Sequence, residues 1–124
     1  MFTVTRHHGS NIVEAALFGF FDLTASERYA AEVEPIIHHA ARLSNGYLML
    51  FDISGCPIQS QEVMAAFQRH VARVPRARLC AVVTGNSIVR MQARRMTSTP
   101  SIRMFESREN ALAWLIEGKA SQAA

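Results

Sequence analysis

Asp52, Ser60, Cys56 and a set of arginines are the side chains whose types and positions could do chemistry in this sequence. Asp52 stands near the end of the apolar run Tyr47-Leu-Met-Leu-Phe-Asp-Ile53. That places a carboxylate at the carboxyl edge of a buried strand, where open α/β sheets bind their ligands. It can meet a partner there, or order the following loop by accepting its N–H groups. Cys56 follows Ser54-Gly55 at the same strand end. A cysteine nucleophile needs a base within reach, and the spacing places none beside it, so Cys56 reads as a packed thiol. The histidines fall as His7-His8, His38-His39 and His70. Neighbours on a helix point about 100° apart instead of sharing the i, i+4 face of a metal clamp, so no metal is expected. Cys56 and Cys80 form no C-x-x-C, which argues for two free thiols instead of a zinc site or disulfide framework. There is no G-x-G-x-x-G, P-loop or G-x-S-x-G, so no cofactor is expected and the chain reads as non-enzymatic.

The arginines are unevenly spread. Residues 1–62 hold three arginines and seven acids, residues 63–105 hold eight arginines and no acid, and residues 106–124 hold two bases and three acids. Guanidinium forks match carboxylate and phosphate oxygens, so the middle segment is either a solvated basic face or an anion-binding surface. Arg90 and Arg94 share one face of an expected helix, and with Arg69 or Arg73 they would make a patch for an acidic protein partner. No aromatic residues interleave with these arginines on a recognised motif, so nucleic acid is not the expected partner.

These side chains must be carried by a scaffold, and the pattern for one is clear. Phe2 to Arg6 alternates, His7 to Asn11 offers a turn, and Ile12 to Phe21 resumes, giving a β-hairpin. Thr24-Ala-Ser-Glu27 has capping-box spacing before Tyr29, Val33, Ile36, Ile37, Ala40 and Leu43, which predicts a helix ended by Asn45-Gly46. Pro35 should kink that helix or divide it. Tyr47 to Ile53 reads as a central strand. Ser60 should cap a second helix with Val63, Phe67, Val71 and Val74 on its buried face, stopping before Pro75. Leu79 to Val83 is a further buried strand, Ser87 to Arg95 a basic helix, and Ile102 to Phe105 a short strand. Ser107 should cap a last helix with Ala111, Trp114 and Leu115 inward.

With 124 residues, 49% hydrophobic and 19% charged, the chain suits one domain over residues 1–118 with a frayed tail at 119–124. The longest wholly apolar run, Ala15 to Phe21, is far below the roughly 20 residues of a membrane span, and the N-terminus lacks a signal-peptide pattern, so a cytoplasmic protein without membrane insertion is expected. The order is an N-terminal hairpin followed by alternating helices and strands. It predicts an α/β fold with a mixed, mostly parallel five-strand sheet.

That order, together with Phe51-Asp-Ile-Ser-Gly55, Ile102-Arg-Met-Phe105 and Ala111-Leu-Ala-Trp-Leu115, resembles the single-domain STAS type. These are bacterial anti-sigma-factor antagonists and the uncharacterised proteins similar to them, also likened to the lipid-transfer CRAL-TRIO fold. The resemblance covers nearly the whole chain and implies a regulatory module that binds a protein partner, with a lipid or other small apolar ligand as the alternative. In regulatory members an Asp-Ser-Ser/Thr-Gly segment after the strand is phosphorylated by a partner kinase. The corresponding stretch here is Ile58-Gln-Ser-Gln-Glu62, which places Ser60 or Gln61 at that position and lacks the flanking Asp and Gly. Ser60 therefore reads as a plain helix cap. The alternation along Ile12 to Phe21 leaves Phe18 and Phe20 on the face away from Val13, Ala15 and Leu17. Either a loop or the last helix covers these rings within the chain, or they stay exposed as a docking surface, of which a homodimer interface is the simplest form.

Overall fold

The computed structural model describes residues 1–43, 45–96 and 99–123, with the side chains of residues 96 and 119–123 outside the described set. The elements follow the expected order: β1 (Phe2–His7), β2 (Ile12–Phe18), α1 (Leu23–Ala41), β3 (Leu48–Gly55), α2 (Gln61–Arg73), β4 (Leu79–Val83), α3 (Ser87–Met96), β5 (Ile102–Phe105) and α4 (Arg108–Ala123). The expected tail at 119–124 falls partly within α4, and its side chains lie outside the described residues.

The five strands lie in the order β1-β2-β3-β4-β5, with β1 antiparallel to β2 and all later pairs parallel. Strand alternation divides the side chains between two cores. Val13, Ala15 and Leu17 of β2, Met49 and Ile53 of β3 and Val82 of β4 face the cluster completed by Tyr29, Val33 and Ile37 of α1, Val63 and Phe67 of α2 and Val89 of α3. Ile12, Leu48, Leu50, Leu79, Ala81 and Val83 face the other way and meet Ala111 and Leu115 of α4. Helix α4 packs on β3, β4 and β5, so the β1–β2 end of its face stays open, with Thr3 and Thr5 exposed and Ala16 half-buried.

Several boundaries differ from expectation. Helix α1 begins one half-turn early because Asp22, not Thr24, is its cap: Asp22 Oδ1 accepts from Ala25 N at 2.7 Å. A carboxylate is the stronger acceptor at a helix N-terminus. Pro35 does not divide the helix. Pro35 and Ala31 are both exposed, so water can serve the carbonyl left without its N–H partner. The helix ends at Ala41, before Asn45-Gly46, and Gly46 (φ 98°) serves a turn instead. The amide of Asn11, itself at φ 53°, fastens that turn to the hairpin by donating to Ala40 O at 2.9 Å and Gly46 O at 2.8 Å. Strand β2 ends at Phe18, since Gly19 turns into the left-handed region (φ 77°). Val71 is exposed, and its expected inward place on α2 is taken by His70. Trp114 flanks the second core half-buried, its ring 5.5 Å from that of Phe105.

Candidate functional site

The carboxyl edge of the sheet gathers much of what the sequence singled out. Asp52 Oδ1 accepts from Ser54 N at 3.0 Å and Ser54 Oγ at 2.6 Å, so the carboxylate orders the strand end itself and not the loop before α2. Ser60 caps α2: its Oγ accepts from Val63 N at 3.2 Å. Phe18 is 49% and Phe20 78% exposed. Their exposure has two causes. Phe18 stands on the open end of the α4 face, whereas Phe20 lies past the turn at Gly19. A Cβ on Gly55 would come within 2.8 Å of Phe18 Cδ1, so the missing side chain at Gly55 is what lets the ring lie over that strand end.

The arginines are dispersed by their partners. Arg90 Nη2 donates to Glu106 Oε1 at 3.3 Å and to Thr84 O at 3.4 Å. Arg73 is held toward α1 by Glu34, at 2.8 Å. Arg94 and Arg69 are exposed. A patch joining Arg90 to Arg73 would therefore have to displace two carboxylates.

Sequence reasoning missed two part-buried ionic hubs. Glu14 on β2 accepts from Arg108 at the start of α4 through both oxygens, at 2.5 and 2.8 Å, and meets His7 Nε2 at 2.7 Å. The Arg108 guanidinium holds its carboxyl below the usual range, against the opposing effect of burial, and His7 adds to the lowering. Glu34 on α1 is lowered in the same way, by Arg73 first and with His70 assisting; His70 Nδ1 lies 2.8 Å from Glu34 Oε2. Arg108, Arg73 and His70 are far in the chain from the carboxylates they meet, and His7 is near Glu14 only across the hairpin, so no helical or strand spacing announces either hub.

The largest unforeseen feature is a cavity of about 560 Å³ between α2, α3 and the first-core face of β3, β4 and β5. Met49, Phe51, Ile53, Cys80, Val82 and Ile102 form its floor, Met64, Phe67 and His70 one wall, and Val89, Gln92 and Ala93 the other. Phe51, Cys80 and Ile102 on this floor are only half-buried although they lie on the first-core face of the sheet. Both cysteines are free and both line it. Burial pushes the Cys80 thiol up to about 12, and burial followed by the charge of Asp52 raises that of Cys56, so neither is an activated nucleophile. One end of the cavity is latched by Gln59 and Gln92. Gln59 N donates to Gln92 Oε1 at 3.1 Å and Gln92 Nε2 to Gln59 O at 2.9 Å. The Gln59 amide also accepts from Phe21 N at 2.8 Å and donates to Gly19 O at 3.1 Å.

Among the described residues no three His, Cys, Asp or Glu side chains are grouped to hold a metal, and no helix is long and apolar enough to cross a membrane.

A five-strand mixed sheet with three helices on one face and one on the other, entered through an antiparallel hairpin, is a STAS-like fold. Solved structures bear this out. The chain is similar to an uncharacterised protein of the DUF3478 family with a SpoIIAA-like fold from Shewanella loihica PV-4, with a TM-score of 0.71, 14% identity, and 93% of this chain and 92% of that one covered. It is similar to an anti-sigma factor antagonist from Mycobacterium paratuberculosis, with a TM-score of 0.65, 11% identity and 94% and 93% coverage. The unphosphorylated anti-sigma factor antagonist SpoIIAA matches with a TM-score of 0.63, 13% identity and 95% and 99% coverage. At these identities the likeness is one of fold. No family profile and no curated protein matches the chain.

Proposed function

We propose that this protein is a non-enzymatic, STAS-like interaction module that docks a protein partner through the carboxyl end of β2 and β3. The observation that carries the reading is a pair of exposed rings: Phe18, lying against Gly55 at the end of β3 near the ordered Asp52–Ser54 corner, and Phe20, past the turn at Gly19. Aromatic anchors held against backbone are what protein interfaces use as their energetic centres. Two solved proteins of the same fold are described as anti-sigma factor antagonists, which supports a regulatory role for such a surface. Ser60 at the start of α2 and the exposed Arg94 on α3 are the further contacts that this reading assigns to an acidic partner; Arg90 can join them only by releasing Glu106. The simplest form is self-association. Light scattering coupled to gel filtration should then give about twice the 13.8 kDa chain mass, falling to one chain mass in Phe18→Ser with Phe20→Ser. A dimer that survives both substitutions removes these rings from the interface.

A second reading, that the module also carries or senses a small apolar ligand, is favoured by the cavity under α2 and α3. Its volume of about 560 Å³ lies within the roughly 300–1,000 Å³ of small-molecule sites. Uptake of the uncharged dye Nile red, read as fluorescence, tests it; no uptake at micromolar protein refutes it.

A further inference from the structure

We infer that the cavity takes a single-chain anionic amphiphile, a fatty-acid carboxylate whose chain lies beneath α2 and α3 and whose head meets Arg76; this rests on the second reading above. The position of the opening comes first. Of the lining residues, Val71, Ala72, Pro75 and Arg76 are exposed, and all belong to the last turn of α2 or the loop leading to β4. We place the mouth there, where the lining is most exposed, and the Gln59–Gln92 latch lies among the lining residues at the carboxyl ends of the strands.

The interior selects an apolar body. Most of its polar side chains are already engaged: Tyr47 Oη donates to Pro75 O at 2.6 Å, His70 meets Glu34, Gln59 and Gln92 bond the loops and each other, and Thr99 Oγ1 lies 2.9 Å from Ser101 Oγ. A ligand with polar groups along its length would find few partners among these engaged side chains and would lose its own hydration. An alkyl chain loses nothing and gains from burial.

The mouth selects a negative head. Among the described residues no Asp or Glu lines the cavity, and Arg76 is the one Lys or Arg that does. Among the described residues Arg76 makes no ion pair, unlike Arg73, Arg90 and Arg108, each of which has its own carboxylate. The connecting segment from Pro75 to Arg78 holds a second arginine and no acid. A guanidinium at the rim of an apolar chamber offers a carboxylate paired, charge-assisted hydrogen bonds while the chain stays out of water.

The test is displacement of Nile red from the full-length protein by dodecanoate, dodecanol and dodecylamine, with Arg76→Gln and the cavity-filling Cys80→Phe alongside. Dodecanoate should displace the dye at a concentration about tenfold lower than dodecanol, with dodecylamine weakest, because one charge-assisted contact distinguishes them. Removing two methylenes from the acid should weaken it about tenfold. In Arg76→Gln, a surface substitution, dodecanoate should fall to within about twofold of dodecanol while dye binding persists. Cys80→Phe should lose the dye itself, provided its circular dichroism matches the parent. If the parent never takes up the dye, the cavity reading fails and takes this inference with it. If the dye binds but the three amphiphiles compete equally, or Arg76→Gln keeps the preference for the acid, the cavity stands and the assignment of its ligand is overturned.

Discussion

Ser60 is one of the two residues, with Gln61, that the resemblance sets at a phosphorylated position, and its Oγ accepts from Val63 N as a helix cap. Ser60→Ala should lower stability by about 1 kcal/mol, and Ser60→Asp should not, because aspartate also caps. Denaturant midpoints compare the three directly. The carboxylates Glu14 and Glu34 make a different prediction. Each is held below its ordinary pKa in the folded chain, so the unfolded chain binds protons more readily over the interval between the two values. Their contribution is fully present above the unfolded-chain pKa of about 4.3 and disappears as pH falls through the lower, folded value. Thermal midpoints should therefore decline steeply in that interval. The decline should be shallower in Glu14→Gln with Glu34→Gln, which start from a lower midpoint near neutrality; an unchanged slope would show that neither hub is coupled to folding. The cap was legible because its partner lies three residues away. The hubs were not, since Arg108 reaches Glu14, and His70 reaches Glu34, only after the sheet and helices have assembled.

At the scale of elements, period and punctuation specified most of the architecture. Strands β4 and β5 have the expected limits because continuous apolar runs bounded by turns leave little freedom. Boundaries failed where two signals competed. Asp22 outbid the Thr24 box, and Gly19 stopped a strand whose side-chain alternation ran on to Phe21. The inward face of α2 was partly misjudged: Val63 and Phe67 are buried, but His70 is inside and Val71 outside. A histidine tied to Glu34 and set edge-on to Tyr29 at 5.5 Å satisfies both its polar and its aromatic character, which hydropathy alone does not register. Phe67 sits against Phe21, Tyr29 and Phe51 with ring centroids at 5.9, 5.5 and 6.4 Å. Phe67→Ala should cost about 3–4 kcal/mol, while half-buried Trp114→Ala should cost less, since truncation loses only the surface that was buried. Equal losses in urea denaturation would show that the two cores are not graded in this way.

Across the whole molecule, one sheet presents two different surfaces. The face under α1, α2 and α3 is thick and encloses the cavity; the other carries α4 over β3 to β5 and leaves its β1–β2 end open. The open end was foreseeable from alternation along β2, which put Phe18 opposite Val13, Ala15 and Leu17. The cavity was not, because Met49, Phe51, Cys80 and Ile102 look in sequence like any core residues, and whether a helix rests on them or stands away depends on the loops that hold it. Here the Gln59–Gln92 latch and the Tyr47–Pro75 bond tie those loops on either side of the chamber. The central claim, that Phe18 and Phe20 anchor a protein partner, is tested most directly by quantitative affinity capture. The wild-type chain and Phe18→Ser with Phe20→Ser, matched for fold by circular dichroism, would be used as bait in lysate of the native host, with this chain itself scored among the prey. The account predicts a discrete set of proteins retained by the wild type and depleted about tenfold or more by the double substitution, as the loss of an aromatic anchor implies. Identical sets retained by both baits would contradict it.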